Sequence, residues 1–172
     1  ATDSNNTKRD TVQGILDLAG GGKLVSRYYH EYATHTSTAT AIPADDTIPQ
    51  ISEGVQILTI TTDTLGNSSN RLRIFYGGLF TSNTVGAACA AAIFDGASNA
   101  LHNVVHYPTS TNSYEYQLNG FYEYAPGATT AKTITMRYGN NSSYVMYING
   151  QSGQRFYGGA SKWVLIVEEI EP

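Results

Sequence analysis

From Lys23 onward, apolar and polar residues alternate in short runs that are separated by turn-forming residues. This period of two is typical of half-buried strands. In RLRIFYGGLF (71–80), one face has Leu72, Ile74 and Tyr76, and the other has Arg71, Arg73 and Phe75. The other predicted strands are KLVSRYYHEY (23–32), VQILTITT (55–62), GAACAAAIF (86–94), LHNVVHY (101–107), YEYQLNGFYEY (114–124), KTITMRY (132–138), SYVMYIN (143–149) and KWVLIVEEI (162–170).

These runs predict an all-β protein. About nine short strands, with turn signals every ~8–12 residues and no helical period after Leu18, are typical of an antiparallel sandwich or barrel. An eight-stranded jelly roll fits the strand count best. At 172 residues the chain is long enough for one domain with a full core and too short for two. We therefore predict a single antiparallel jelly-roll sandwich over residues 23–172, preceded by an arm over residues 1–22.

Three local signals refine this prediction. GNNS (139–142) predicts a hairpin turn between the strands that flank it. Gly77 and Gly78 predict a bulge or a bend within their strand. The small side chains of residues 86–94 indicate that something bulky, or another chain, packs closely over that strand. Together with the apolar closing strand, they predict a homotrimer.

The arm over residues 1–22 has a different pattern. Residues 1–10 are polar, and Asp10 or Thr11 can cap a helix of about two turns that Gly20–Gly22 would end. Because so short a helix is marginal alone, we expect the arm to dock against another chain or against another part of its own. The apolar face of this helix would consist of Val12, Ile15, Leu16 and Ala19, and the candidate partner-binding residues are Val12, Ile15, Leu16 and Leu18.

Composition argues against several classes of partner. Charged residues make up 14% of the chain and the net charge is −4, so we expect no basic surface for nucleic acid or anionic lipid. No apolar run approaches the roughly 20 residues that a membrane-spanning helix needs. The single cysteine, Cys89, has no partner for an internal disulfide, and its apolar neighbours predict a small buried side chain. We expect neither a nucleic-acid partner nor a membrane.

The sequence offers little catalytic chemistry. Its serines show no nucleophile-elbow pattern, and no glycine-rich loop opens a helix that would hold phosphate. His102 and His106 are four residues apart in a predicted strand and so share a face, where they are either metal ligands or strand-surface histidines without a ligand. We favour the second interpretation, and we expect no enzyme activity, no cofactor and no metal.

Tyrosine is the abundant aromatic residue, with 13 in the chain. YYHEY, YEYQLNGFYEY, YVMY and RFY place these rings close together. Surfaces rich in tyrosine suit sugar stacking and protein interfaces, because the ring is rigid and the hydroxyl stays hydrated. Tyrosine is also common in strands, so part of this set is expected to serve ordinary sheet packing.

The stretch AIPADDTIPQISEG (41–54) combines prolines, adjacent carboxylates and a glycine between two strands. It is an ordered loop, a metal site or an acid/base pair. Asp45 and Asp46 lack the alternate spacing of a calcium loop, and neighbouring residues point apart, unlike the facing carboxylates of a glycosidase. Pro43 and Pro49 each forbid a ladder hydrogen bond, and the aspartates favour turns. We interpret Pro43, Asp45, Asp46 and Pro49 as a structural loop.

This stretch also belongs to a wider pattern. The first block, AIPADDTIPQISEG, is followed by AAIFDGASNAL and then by YINGQSGQRFYGGASKWVLIVEEI. The three blocks resemble a domain that recurs in virion proteins of tailed bacteriophages, and the resemblance extends over residues 23 to 171. The matching residues are Ile42, Pro43, Asp45, Asp46, Thr47, Ile48, Pro49, Gln50, Glu53 and Gly54, then Phe94, Asp95, Asn99, Ala100 and Leu101, and finally Asn149, Gly150, Ser152, Gly153, Arg155, Gly158, Gly159, Ser161, Glu169 and Ile170.

The resemblance implies a trimeric jelly roll on the exterior of a virion, with no catalytic residues. Two functions are compatible with it. One is a capsid decoration (cement) protein that clamps neighbouring copies of the major capsid protein, and the other is a tail-fibre tip that binds a host-surface glycan. We expect the first, because about 22 residues before the first strand suffice for an arm but not for a fibre shaft. The extra aromatics and Tyr157, where the pattern has Phe, depart from the family.

Overall fold

The computed structural model describes residues 22–110 and 114–172, so the predicted helix of the arm lies outside the described residues. None of the helical structure in these ranges is long and apolar enough to cross a membrane. A single 3-10 turn spans Tyr157–Gly159. The strands are β1 (Lys23–Tyr32), β2 (Thr36–Thr38), β3 (Val55–Thr61), β4 (Arg71–Ser82), β5 (Cys89–Asp95), β6 (His102–His106), β7 (Tyr116–Tyr124), β8 (Thr133–Asn140), β9 (Met146–Ile148), β10 (Gly150–Gln151), β11 (Gln154–Arg155) and β12 (Trp163–Glu171).

Ten of the described strands form two facing antiparallel sheets, and β10 and β11 pair separately with each other. The front sheet runs β1-β12-β4-β7, and β9 and β2 extend it beside the end of β4. The back sheet runs β3-β8-β5-β6. If the eight main strands of the described ranges are numbered along the chain, these orders are 1-8-3-6 and 2-7-4-5. That is the strand order of a jelly roll, so the all-β sandwich prediction is confirmed.

The core lies between the two sheets and follows the alternation of the strands. In β12, Trp163, Leu165 and Val167 are fully buried, while the residues between them are partly exposed. The Trp163 ring lies against Gly78, where a Cβ atom would clash with it, and its Nε1 donates to the Leu79 carbonyl at 2.7 Å. The back sheet completes the core with Leu58, Ile60, Cys89, Ala91, Ile93, Ile134, Met136 and Tyr138.

The predicted hairpin turn at GNNS and the predicted bulge at Gly77 and Gly78 are wrong. The strands on either side of GNNS do not form a hairpin: β8 pairs with β3 and β5 in the back sheet, whereas β9 pairs with β2 and β4 in the front sheet. The chain crosses between sheets there, as a jelly roll requires. Gly77 and Gly78 cause no register shift, because β4 pairs continuously with β7. Gly77, at φ 140°, instead allows close approach to Leu118, and Gly78 makes room for Trp163.

Two histidines connect the sheets along one flank. His102 and His106 share a face of β6, as predicted, and aromatic rings of the front sheet surround them. The His102 Nδ1 atom lies 2.9 Å from the Tyr76 hydroxyl, and the imidazole stacks on Tyr122 with ring centroids 5.4 Å apart. His106 packs against Tyr116 at 4.8 Å. These contacts favour a packing role for both side chains.

This flank predicts acid sensitivity. Burial lowers the pKa of His102 below its usual value, so the folded protein favours the neutral imidazole. The unfolded chain then binds more protons below about pH 6.5, and stability declines as the pH falls through that value. We expect the free energy of unfolding, measured by urea titration between about pH 5 and 7, to fall less steeply in H102Q. Equal slopes for H102Q and the unmodified protein would contradict this role.

Candidate functional site

Residues 41–54, which we call the strap, cross the outer face of the back sheet. Strand β5 has small residues because this segment packs on them: Ala90, Ala92 and Phe94 form a second buried cluster with Ile42 of the strap. Ile51 and Ala100 border that cluster. The small-residue strand is therefore covered by its own chain, and it no longer supports the prediction of a trimer.

Hydrogen bonds fix the strap at both ends. Arg137 of β8 donates from Nε to the Glu53 carbonyl at 2.6 Å and from Nη2 to the Gly54 carbonyl at 2.9 Å. Gly54 has φ 60°, and a Cβ atom there would lie 2.6 Å from the Tyr138 carbonyl oxygen. The backbone bonds run from Ile42 N to Asn140 O (2.7 Å), from Ile51 N to Ser98 O (2.7 Å) and from Ala100 N to Pro49 O (2.8 Å).

The predicted structural loop lies within the strap. Asp45 Oδ1 accepts hydrogen bonds from the backbone N–H (2.8 Å) and the hydroxyl (2.5 Å) of Thr47. The hydroxyl contact is the main reason that the pKa of Asp45 lies below its usual value. Asp45 and Asp46 are both exposed, and Pro43 and Pro49 are partly buried. Within the described ranges, no group of three or more His, Cys, Asp or Glu side chains is placed to hold a metal ion.

The outer face of the front sheet has no such cover from the described part of the chain. Tyr29, Ile166, Phe75 and Phe121 are directly opposed on β1, β12, β4 and β7, so their side chains form one row across four strands, which we call the apolar row. The Phe75 and Phe121 rings pack together with centroids 5.1 Å apart. Tyr29 is 55%, Phe75 38% and Phe121 53% exposed, although all three lie on a regular sheet.

An ionic row flanks the apolar row on the same face. Arg27, Glu168, Arg73 and Glu123 are opposed in register, so positive and negative side chains alternate across the four strands. Arg73 Nε lies 2.8 Å from Glu123 Oε2, and Arg27 Nε lies 3.6 Å from Glu168 Oε1. The contact with Arg73 is the main reason that the pKa of Glu123 lies below its usual value. The ionic row is therefore neutral as a whole.

A third surface lies at one end of the sandwich, where β4–β5, β6–β7 and β8–β9 are connected. We define the loop end as the exposed residues Val85, Tyr107, Tyr114 and Tyr144 in these connections. Tyr157 lies beside it, because its hydroxyl donates to Glu115 Oε1 at 2.8 Å. Tyr157 is 68% exposed and has φ 47°, a conformation that few residues other than glycine adopt.

The structure describes some of the residues that were predicted from the sequence as sites, but not all of them. The predicted structural loop lies within the strap. The predicted partner-binding residues lie outside the described residues; they are Val12, Ile15, Leu16 and Leu18. The apolar row was not predicted as a site. Its signal in the sequence was Phe75, an aromatic residue in phase with Arg71 and Arg73 on the charged face of its strand.

No protein-family model and no curated protein matches the chain. Solved structures resemble it at low identity. Eiger TNF from S. frugiperda is 9% identical with a TM-score of 0.46, and the match covers 87% of this chain and 94% of that one. The infectious bursal disease virus VP2 subviral particle is 14% identical with a TM-score of 0.42, covering 86% and 38%. Latent PorU from Porphyromonas gingivalis is 10% identical with a TM-score of 0.44, covering 88% and 14%.

The chain thus spans well under half of the viral and bacterial proteins that it resembles. Because the identities are low and the TM-scores lie below 0.5, function has to be inferred from the residues of the chain itself. Three surfaces are available for that assignment: the strap, the front-sheet face with its apolar and ionic rows, and the loop end.

The strap predicts a clear order of mutant stabilities. G54A should lower the free energy of unfolding by about 1–2 kcal/mol or more, because alanine is strained at this φ and its Cβ atom meets the Tyr138 carbonyl. D45N/D46N should change it by less than about 0.5 kcal/mol, because asparagine makes the same turns. Urea denaturation of both variants measures the difference.

A metal site would give the opposite result. The double aspartate variant would then be the less stable one, and EDTA would lower the melting temperature of the unmodified protein but not of that variant. We expect EDTA to leave both melting temperatures unchanged.

Proposed function

We propose that the protein is a non-enzymatic virion structural protein of a tailed bacteriophage. In this proposal it is a homotrimeric decoration protein on the exterior of the capsid, where it clamps neighbouring copies of the major capsid protein. The resemblance of the strap and the two later blocks to phage virion proteins supports the class of protein. The apolar row is the observation that carries the proposal, because it gives the fold a surface for assembly.

The energetics of the apolar row favour a covered state. Fully burying a side chain of the size of Phe or Ile stabilises a protein by about 1.5–3 kcal/mol. In this row Tyr29 and Phe121 are about half exposed and Phe75 is 38% exposed. Contiguous apolar patches of this kind on a soluble protein mark interaction sites. Aromatic residues are also the side chains most enriched at the centres of protein interfaces.

The charges beside the apolar row favour a second and third copy as its occupants. A partner with an excess of one charge would meet a surface in which Arg27 and Arg73 are balanced by Glu168 and Glu123. An identical neutral face presents both signs and so avoids a repulsive contact. Symmetric association of copies is also the commonest form of oligomer. The number three comes from the family resemblance.

Attachment to the virion is assigned to the arm. Strand β1 begins at Lys23, opposite Glu171 of β12, and the described strands that pair into the two sheets all follow residue 22. The predicted apolar side chains Val12, Ile15, Leu16 and Leu18 supply a face for the major capsid protein. We assign no catalytic residue, cofactor or metal to the protein.

Substitution in the apolar row should dissociate the assembly. We expect the unmodified protein to sediment as a trimer at micromolar concentration and F75S/F121S to sediment as a folded monomer, because both rings would lose their cover. Sedimentation velocity measures the change, and circular dichroism checks the fold.

Y144S is the matched control for this experiment. Tyr144 is an exposed aromatic residue too, at 44%, but it lies in the β8–β9 connection and not in the apolar row. Its substitution should leave the trimer intact. A monomeric unmodified protein, or trimers of F75S/F121S as stable as the original, would refute assembly through this face.

Deleting residues 1–22 separates assembly from attachment. The truncated protein should remain a trimer and fail to bind capsids that lack the protein, since the apolar row is retained and the arm is lost. Co-sedimentation with such capsids provides the measurement. Binding of the truncated trimer at the original affinity would show that the arm is not the anchor.

A further inference from the structure

The loop end consists of loops that hold one another in place. Asn83 and Val145 exchange two hydrogen bonds, from Asn83 N to Val145 O at 3.0 Å and from Val145 N to Asn83 Oδ1 at 2.9 Å. Asn141 N donates to Ala88 O, and Gly86 N donates to Pro108 O, each at 2.8 Å. These hydrogen bonds join the described segments 83–88, 107–110 and 141–145 to one another, so Val85, Tyr107 and Tyr144 lie on neighbouring loops.

Apolar and aromatic side chains are exposed on this surface. Tyr107 is 57%, Tyr114 61%, Tyr144 44% and Val85 54% exposed. Neither the core nor the strap uses these residues, since none of them belongs to either buried cluster. Large rings that a fold leaves in solvent on ordered loops are typical of binding surfaces.

The charge and composition of these loops limit the class of ligand. Residues 83–88 (NTVGAA), 107–110 (YPTS) and 141–145 (NSSYV) contain no charged side chain. Glu115, next to them, already accepts the hydrogen bond from Tyr157. A surface without cations gives no electrostatic attraction to nucleic acid or to acidic polysaccharides. Tyrosine rings with neighbouring amides and hydroxyls offer flat apolar faces and neutral hydrogen-bonding groups, which suit the faces and hydroxyls of uncharged sugars.

The position of the loop end agrees with such a ligand. The first residue of β1, Lys23, pairs with Glu171 near the end of β12, and Ile170 pairs with Arg71 at the start of β4. The loop end lies at the opposite end of β4, beyond Ser82. Lys23, which follows the arm in the sequence, thus lies at one end of the sandwich, and the tyrosines are exposed at the other. A protein anchored by its arm would direct the tyrosines away from the particle.

We propose that the loop end is a carbohydrate-binding surface for neutral glycans, with Tyr107, Tyr114 and Tyr144 as stacking residues. The chemistry follows from the loops alone, while the expectation that the glycan belongs to a bacterial envelope rests on the proposed function. This role adds adhesion to the capsid decoration proposed above, and it uses a surface separate from the apolar row and the arm.

The test uses an array of purified bacterial O-polysaccharides and capsular polysaccharides, both neutral and acidic, probed with the full chain. We expect binding to neutral members of the array. Y107S and Y144S should each weaken that binding about tenfold, the loss expected for one stacked ring. Y144F should retain most of the affinity, because it keeps the ring. I48S is the control, since Ile48 is similarly exposed, at 55%, but lies on the strap.

Several outcomes would overturn the inference. These are the absence of binding to any polysaccharide, binding confined to acidic ones, or equal binding by Y107S, Y144S and I48S. Reduced binding of Y107S and Y144S to purified capsids would also overturn it, because the loop end would then contact protein. The proposed function has separate readouts, sedimentation and capsid binding, so a loss of glycan binding by trimers that still decorate capsids leaves it intact.

Discussion

The unequal covering of the two sheets determines which surfaces of this protein are free. Strand β5 is buried on both faces, by the front sheet through Ala91 and Ile93 and by the strap through Ala90 and Ala92. The front sheet is buried on its inner face, and on its outer face the described chain leaves Phe75 and Phe121 exposed. Since both sheets carry apolar side chains outside the central core, our proposal assigns a partner to the sheet without a strap.

The proposed functions would use three separate parts of the structure. Assembly is assigned to the front-sheet face and attachment to the arm that precedes Lys23, whereas glycan binding is assigned to the tyrosines at the opposite end of the sandwich. Each surface has its own chemistry: an apolar row beside paired charges, the predicted apolar face of a short helix, and neutral aromatic loops. Because the surfaces do not overlap, a substitution in one is expected to leave the others intact, and assembly, attachment and glycan binding can be tested independently.

Much of the fold could be predicted from the sequence, because alternation along each strand is a local property. The predicted segment 71–80 corresponds to β4, Arg71–Ser82, and 162–170 corresponds to β12, Trp163–Glu171. Pairing between distant segments could not be predicted in the same way. GNNS has the composition of a hairpin turn, yet the chain there changes sheets. The segment that packs over β5 could not be predicted either. The small side chains of β5 indicate a close neighbour, but they do not show that this neighbour is the strap.

In the proposed assembly, the apolar row is covered while the loop end stays in solvent. Hydroxyl-radical footprinting with mass spectrometry tests it directly, because it reports the solvent exposure of individual aromatic side chains. The account predicts that Phe75 and Phe121 are protected at concentrations where the protein assembles, and that Tyr107 and Tyr144 are oxidised freely in the same sample. Oxidation of Phe75 and Phe121 at the rate expected for their exposure in a single chain would contradict it.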